Sequence, residues 1–295
     1  MKNPFEKPPT SGEAESQEAE DEEKHEAHYI RHSKALYQTY GKILASEDPQ
    51  QGFDPEEQVS PDLTPEGIEL AQKKAEEFFD ELDPEKDVVF FVSSNEARAL
   101  ETANIYRQEA HKRGIEVTRP KKSGTKLAEE IGEGEIRAFS RLSIDSDNVL
   151  IDSLFTPSAY LEGINWEAVD VETREKWQEA KAVIDADDKG SFGANFLAHS
   201  EEMQGFFPEI KTAKNKYERE FKNLLRLLRF GMKKIEESEI QKRVHIVAFG
   251  HEDSMLEGLR INFGEESIGN CEMVTFGVEE GEIRGEFRGK EAVVE

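Results

Sequence analysis

Two histidines and two arginines stand directly after apolar runs, where they could take part in one reaction. Arg31 and His32 follow AHYI, His251 follows RVHIVAFG, and Arg98 lies one turn beyond the serines that end DVVFFVSS. Guanidinium groups bind phosphate oxygens bidentately, and a neutral imidazole is a competent nucleophile. These residue types are therefore typical of a site that binds and attacks a phosphate group.

The elements that must position these side chains are strands that end at one edge of a sheet. The continuous apolar runs 88–92 and 243–250 predict strands buried on both faces. Alternating strands and helices predict an α/β fold with three layers, in which helices cover both faces of a mostly parallel sheet. Ligands of such sheets bind outside the carboxyl ends of the strands. The other expected elements are helices over 65–82, 95–113, 167–184 and 209–237, a strand over 115–120, and a hairpin that turns at 280–281.

The chain divides into a tail and one domain. Residues 1–26 are rich in acids and poor in apolar residues, which predicts a disordered acidic tail. Residues 27–295 are expected to form the domain. Within it, residues 137–215 match the α/β pattern poorly, so we expect a helical cap insertion there.

Composition excludes several classes of function. The 64 acidic residues exceed the 38 basic ones, giving a net charge of −26. We therefore expect no nucleic-acid partner and no binding to anionic membranes. No apolar run is long enough to span a bilayer, and the first residues lack the apolar region of a secretory signal. The single cysteine, Cys271, suits a reducing compartment, so we expect a cytoplasmic protein.

Five motifs, in this order, resemble the histidine phosphatase superfamily in its phosphoglycerate-mutase-like branch. The most specific is SSNEARALETA, which matches the family pattern Ser-Ser-x-x-x-Arg-Ala-x-x-Thr-Ala throughout. The resemblance covers roughly 27–136 and 240–280. The five matching segments are Arg31-His32, Leu63 to Gly67, Ser93 to Ala103, Leu127 to Glu129, and the late strand that ends at His251.

The resemblance implies a metal-independent phosphomonoester hydrolase. His32 would be the nucleophile that becomes a phosphohistidine, and Arg31, Arg98 and His251 would bind the phosphate. No cofactor and no metal site are expected. The substrate would be a small phosphorylated molecule or a phosphoprotein, and the oligomeric state is left open.

The proton donor and the pocket walls are implied less directly. Glu129 would protonate the leaving group and then activate water, with Glu130 as the alternative acid. Three further side chains are expected to line the pocket: Lys34, Gln38 and Ser254.

Three departures from the family pattern keep other functions open. Ser33 replaces a glycine after His32, Lys34 replaces an acid or amide, and Glu252 replaces a glycine after His251. These changes favour a second hypothesis, a catalytically idle module of the same fold that binds a phosphorylated ligand or partner. A phosphoglycerate mutase is less favoured, because residues 130–132 read Glu-Ile-Gly where mutases usually have an Arg-His-Tyr-Gly-type stretch.

Overall fold

One sheet forms the centre of the molecule. The computed structural model describes residues 25–35, 62–118, 134–139, 169–186, 192–208, 210–236, 241–279 and 281–294. In these ranges eight strands occur in the order β3-β2-β5-β1-β6-β7-β8, and β4 also pairs with β2. The strands are β1 (Glu26–Arg31), β2 (Asp87–Ser94), β3 (Glu116–Val117), β4 (Ile136–Phe139), β5 (Arg243–Gly250), β6 (Met273–Glu279), β7 (Glu282–Phe287) and β8 (Lys290–Val293).

The half of the sheet formed by β1 to β5 is parallel. β1 and β2 both pair in parallel with β5, and β3 and β4 pair in parallel with β2. β6, β7 and β8 continue the sheet beyond β1 as an antiparallel meander. The carboxyl ends of β1, β2 and β5 consequently lie at one edge, as the sequence predicts.

Helices cover both faces of the sheet. On one face, α1 and α2 pack with β-strand residues such as Phe91 and Phe249. On the other face, α7 and α8 pack with Tyr29 and Ile246. The expected three-layer α/β fold is therefore confirmed. The helices are α1 (Pro65–Asp80), α2 (Ala97–Lys112), α3 (Val171–Asp185), α4 (Phe192–Ala198), α5 (Ser200–Phe206), α6 (Ala213–Lys216), α7 (Lys222–Glu236) and α8 (Leu256–Phe263).

Helix α1 is anchored against the segment that follows β1. The Thr64 side chain caps it by accepting a hydrogen bond from Gly67 N at 3.0 Å. A Cβ on Gly67 would lie 2.2 Å from the carbonyl oxygen of Lys34. Glycine at this position therefore lets the first turn of α1 approach the chain beside His32.

The segment expected to be a cap insertion starts later than 137. Residues 136–139 are β4, which pairs with the end of β2 and so belongs to the sheet. The next residues, 140–168, lie outside the described residues. Beyond them, α3 and α5 share a small apolar cluster that includes Ala180, Ile184 and Met203. The described part of this segment after β4 contains α3, α4, α5 and the start of α6.

The remaining boundaries differ in detail. β1 begins at Glu26, one residue inside the predicted tail, and residues 1–24 lie outside the described residues. The predicted helix 209–237 begins at Ala213 and contains one π-helical turn, Tyr217–Phe221, before α7. The predicted hairpin is present, with Gly281 in its turn at φ 83°, and β8 adds a third strand.

No helix among the described residues has the length and apolarity needed to cross a membrane.

Candidate active site

His32, the predicted nucleophile, and His251, a predicted phosphate-binding residue, meet at the carboxyl ends of β1 and β5. Arg31 pairs with Gly250 in the parallel register, and His32 N donates to Gly250 O at 2.9 Å. His32 and His251 therefore leave neighbouring strands side by side, with ring centroids 5.1 Å apart. Each residue is only 2% exposed.

The ring of His32 is held in one tautomer. Its Nδ1 lies 2.6 Å from Ser33 O, and a carbonyl oxygen only accepts, so Nδ1 carries the proton. Nε2 is left with its lone pair. Burial, followed by the nearby His251 and Arg98, lowers the pKa of His32 well below its ordinary value. The imidazole is therefore neutral at physiological pH.

The position of His251 is fixed from two sides. Its Nε2 forms a hydrogen bond of 2.8 Å with Ser94 Oγ at the end of β2. The Tyr29 hydroxyl accepts from His251 N at 2.8 Å and donates to His251 O at 3.0 Å. A Cβ on Gly250 would lie 2.1 Å from that hydroxyl oxygen, so glycine is needed there. Three strands thus combine to orient one imidazole.

The guanidinium of Arg31 contacts two of the described residues. Its Nη2 lies 3.0 Å from Glu252 Oε2, and its Nη1 donates to the carbonyl of Ile268. Cys271 N donates to Arg31 O at 3.0 Å, which ties the 264–272 loop to the end of β1. The guanidinium is therefore held at the strand edge by a carboxylate and a carbonyl.

Arg98 lies at the start of α2, also between carboxylates. Its Nη1 is 3.5 Å from Asp62 Oδ2 and 3.4 Å from Glu96 Oε2. Burial raises the pKa of Asp62, and the charge of Arg98 partly opposes that rise. The positive charges of Arg98 and Arg31 both lower the pKa of His32, so both guanidinium groups act electrostatically on its imidazole.

Ser33 fits a place where the related pattern has glycine. Its Oγ donates to Gly67 O at 2.6 Å, and its N donates to Thr102 Oγ1 at 3.0 Å. Thr102 Oγ1 in turn donates to Arg98 O at 2.7 Å. The added side chain is thus accommodated by a buried hydrogen bond to α1, while the backbone N of Ser33 connects the same segment to α2.

The other predicted residues have different outcomes. Lys34 is partly exposed, and its Nζ lies 3.7 Å from Glu66 Oε2 at the start of α1. Ser254 is buried, and none of the described residues forms a hydrogen bond with its Oγ. The expected positions that lie outside the described residues are Gln38, Glu129 and Glu130.

Three contacts at the site were not predicted from the sequence. They are made by Tyr29, by the pair of Glu252 with Arg31, and by Asn270, whose Nδ2 donates to His32 O at 3.0 Å. The side-chain alternation of β1 was the available signal for Tyr29, since it shares a face with Arg31. The other two contacts join loops that are distant along the chain, so spacing does not reveal them.

Comparison with known proteins gives matches in structure only. No family model matches the sequence, and no curated protein matches it. The structure is similar to a phosphoglycerate mutase from Bacillus anthracis, at 10% identity and a TM-score of 0.46, with 91% of this chain and 95% of that chain covered.

Two further solved structures are similar over most of their length. A multiple inositol polyphosphate phosphatase from Bifidobacterium longum has 11% identity and a TM-score of 0.46, covering 92% of this chain and 87% of that one. A phosphoserine phosphatase from Entamoeba histolytica has 17% identity and a TM-score of 0.40, covering 88% and 93%. At such identities and scores, the chemistry of this chain has to be read from its own residues.

Proposed function

We propose that this chain hydrolyses phosphomonoesters through a phosphohistidine on His32. The observation that carries the proposal is the hydrogen bond from His32 Nδ1 to Ser33 O at 2.6 Å. It leaves Nε2 as a lone-pair nucleophile on a buried, neutral ring. His251, Arg31 and Arg98 supply the positive charge and hydrogen-bond donors that a transferring phosphoryl group requires.

The reaction has two steps. In the first, His32 Nε2 attacks phosphorus, the bond to the ester oxygen breaks, and that oxygen takes a proton from a carboxylic acid. In the second, water attacks the phosphohistidine, the same carboxylate takes a proton from the water, and inorganic phosphate leaves. Glu129 is the proposed acid, with Glu130 as the alternative. Neither step uses a metal ion.

The test is turnover together with trapping of the intermediate. Wild-type chain with p-nitrophenyl phosphate and EDTA should release nitrophenol, and rapid quenching into alkali should recover one phosphohistidine per chain. His32→Ala should lose both signals. The control is His199→Ala, which removes a histidine from the junction of α4 and α5. Turnover that survives in His32→Ala contradicts the mechanism.

A second candidate function is a phosphate-dependent binding module without turnover. The pairing of Arg31 with Glu252, and of Arg98 with Asp62 and Glu96, counts against turnover and so keeps this function open, because these carboxylates reduce the positive charge available to a transferring phosphoryl group. Calorimetry with inorganic phosphate and with phosphorylated peptides distinguishes the two functions. Binding that requires Arg98, without any turnover or phosphohistidine, would support the module.

A further inference from the structure

A second cluster of histidine and carboxylate groups lies at the opposite edge of the sheet from His32. Glu26 and His28 are two residues apart on β1, so their side chains are on the same face. His245 lies near the start of β5, and the parallel register pairs it with Glu26. The cluster is about 13 Å along β1 from His32, at 3.3 Å per residue.

One possible metal-ligand atom from each of the three side chains lies close to the other two. His28 Nε2 is 3.1 Å from His245 Nδ1, and Glu26 Oε2 is 3.6 Å from the first and 3.4 Å from the second. Ligand atoms of a tetrahedral zinc ion, at bonds of 2.0–2.1 Å, are about 3.3 Å apart. The observed separations therefore match the spacing that such an ion needs, without any movement of the backbone.

The outer nitrogen of each ring has its own partner. His245 Nε2 lies 3.2 Å from Asp87 Oδ1, and Asp87 is held by Arg243 through contacts of 2.7 and 3.0 Å. An ionised carboxylate only accepts, so Nε2 carries the proton and Nδ1 presents its lone pair to the cluster. Carboxylate partners of this kind orient metal-binding histidines.

His28 also has a partner for its outer nitrogen, and the cluster can be reached from solvent. His28 Nδ1 is 3.2 Å from Thr275 Oγ1, a hydroxyl that can accept from it when Nε2 binds a cation. Both histidines are buried, whereas the Glu26 side chain is 38% exposed at the rim of a cavity of about 300 Å³. A cation could therefore enter beside Glu26, and a water could complete the coordination from the cavity.

We propose that Glu26, His28 and His245 form a zinc-binding site that joins β1 to β5. Two imidazoles and one carboxylate are a ligand set that Zn²⁺ accepts, with a water as the fourth ligand. The site is separate from the phosphoryl chemistry proposed for His32, and it would join the starts of the two strands whose ends hold His32 and His251.

No metal site was expected from the sequence. His28 and His245 are 217 positions apart along the chain, so no metal-ligand spacing is visible in the sequence. Only the parallel pairing of β1 with β5 brings them together.

The test is zinc binding to the full, untagged chain after chelator dialysis. Titration of ZnCl₂ against a chromophoric chelator should give one tight site per chain. Glu26→Gln and His28→Gln should each weaken that site at least about 100-fold. Co²⁺ in place of Zn²⁺ should give the intense visible bands of a four-coordinate ion, and these bands should be lost in both variants.

Matched controls come from a surface pair with the same chemistry. His199 Nδ1 lies 3.4 Å from Glu202 Oε2 on the same helical segment, and His199→Gln and Glu202→Gln should leave zinc binding unchanged. His32→Ala should do so too, which separates the site from the catalytic histidines. Circular dichroism verifies that each variant folds. Glu26→Gln is expected to disturb the core least, because the Glu26 side chain is partly exposed.

Two results would overturn the proposal. One is wild-type binding no tighter than that of Glu26→Gln, which would leave the cluster as a hydrogen-bonded network between two strands. The other is a tight site that persists in both Glu26→Gln and His28→Gln, which would place the metal elsewhere.

Discussion

Arg31 and Glu252 form an ion pair at the mouth of the candidate site, with Nη2 and Oε2 3.0 Å apart. Their side chains are only 12% and 11% exposed. Glu252 directly follows His251 after the end of β5. The same turn of chain therefore supplies one proposed phosphate-binding residue, His251, and a carboxylate that pairs with another, Arg31. A phosphate dianion that binds to Arg31 must replace or share this partner, and the pair therefore opposes phosphate binding.

Glu252→Gln should strengthen phosphate binding. The change removes a negative charge beside Arg31 while keeping the side-chain shape, and we expect roughly tenfold tighter binding, about 1.4 kcal/mol. Calorimetry with inorganic phosphate measures it. Glu257→Gln is the matched control, because Glu257 pairs with the exposed Arg260 on α8. Equal affinities in wild type and Glu252→Gln would show that the pair does not govern anion binding.

Ser94→Ala should impair turnover while Ser93→Ala should not. Both serines are fully buried at the end of β2, but their side chains point to opposite faces, and Ser94 holds His251 at 2.8 Å. Loss of one such hydrogen bond is worth about 1 kcal/mol, which corresponds to a several-fold lower kcat. Steady-state kinetics on both variants measures this. Similar decreases in kcat for Ser93→Ala and Ser94→Ala would indicate that any change at the end of β2 impairs turnover.

Tyr29→Phe should lower both stability and turnover. The hydroxyl forms hydrogen bonds with both His251 N and His251 O, so its removal takes one hydrogen bond from each of two buried backbone groups, at a cost of about 1–3 kcal/mol. Urea unfolding measures the stability. The control is Tyr106→Phe, which removes a hydroxyl from the other face of the sheet. An unchanged midpoint and kcat for Tyr29→Phe would contradict this role.

His32 should remain neutral at pH values where a free histidine is protonated. Burial lowers its pKa below the unfolded value of about 6.5, so the unfolded chain binds the proton first. Its contribution to the unfolding free energy is therefore full above pH 6.5 and declines as the pH falls towards the folded-state pKa. Imidazole ¹⁵N shifts, assigned with His32→Ala, measure the titration. A midpoint at 6.5 or above would contradict the neutral nucleophile.

Glu129→Gln should slow hydrolysis in a way that depends on the leaving group. A general acid matters most for a poor leaving group, so alkyl phosphates should lose about 10²–10⁴-fold and p-nitrophenyl phosphate much less. Glu130→Gln and Asp62→Asn are the comparison variants. Asp62 is included because it lies beside Arg98 and its pKa is raised by burial. Whichever variant shows the leaving-group dependence identifies the acid.

Much of the fold follows from local pattern. The apolar runs that became β2 and β5 and the capped helix α1 were all predicted, because burial on both faces and an N-cap have clear signatures. β4 was not, since four residues between polar stretches resemble a loop. Its place beside β2 is set by the parallel pairing of Phe91 with Ile136, a contact that no local pattern encodes.

The site was predictable where a residue directly follows a strand. Arg31, His32 and His251 fall in this group, because the carboxyl ends of parallel strands meet at one edge. The ion pair with Glu252 and the Tyr29 contacts depend on the register of β1 with β5 and on the direction of each side chain. Those features are set by tertiary packing.

The place of β1 in the sheet has a consequence for synthesis on the ribosome. β1 lies between β5 and β6, so both of its neighbours are translated late, and the Tyr29 contact with His251 spans 222 positions. At about 5–20 residues per second, β1 is without its partners for roughly 10–45 s. During that interval an apolar strand with two unpaired edges is open to aggregation or chaperone binding. The nascent chain cannot bring the two histidines together until most of it has been made.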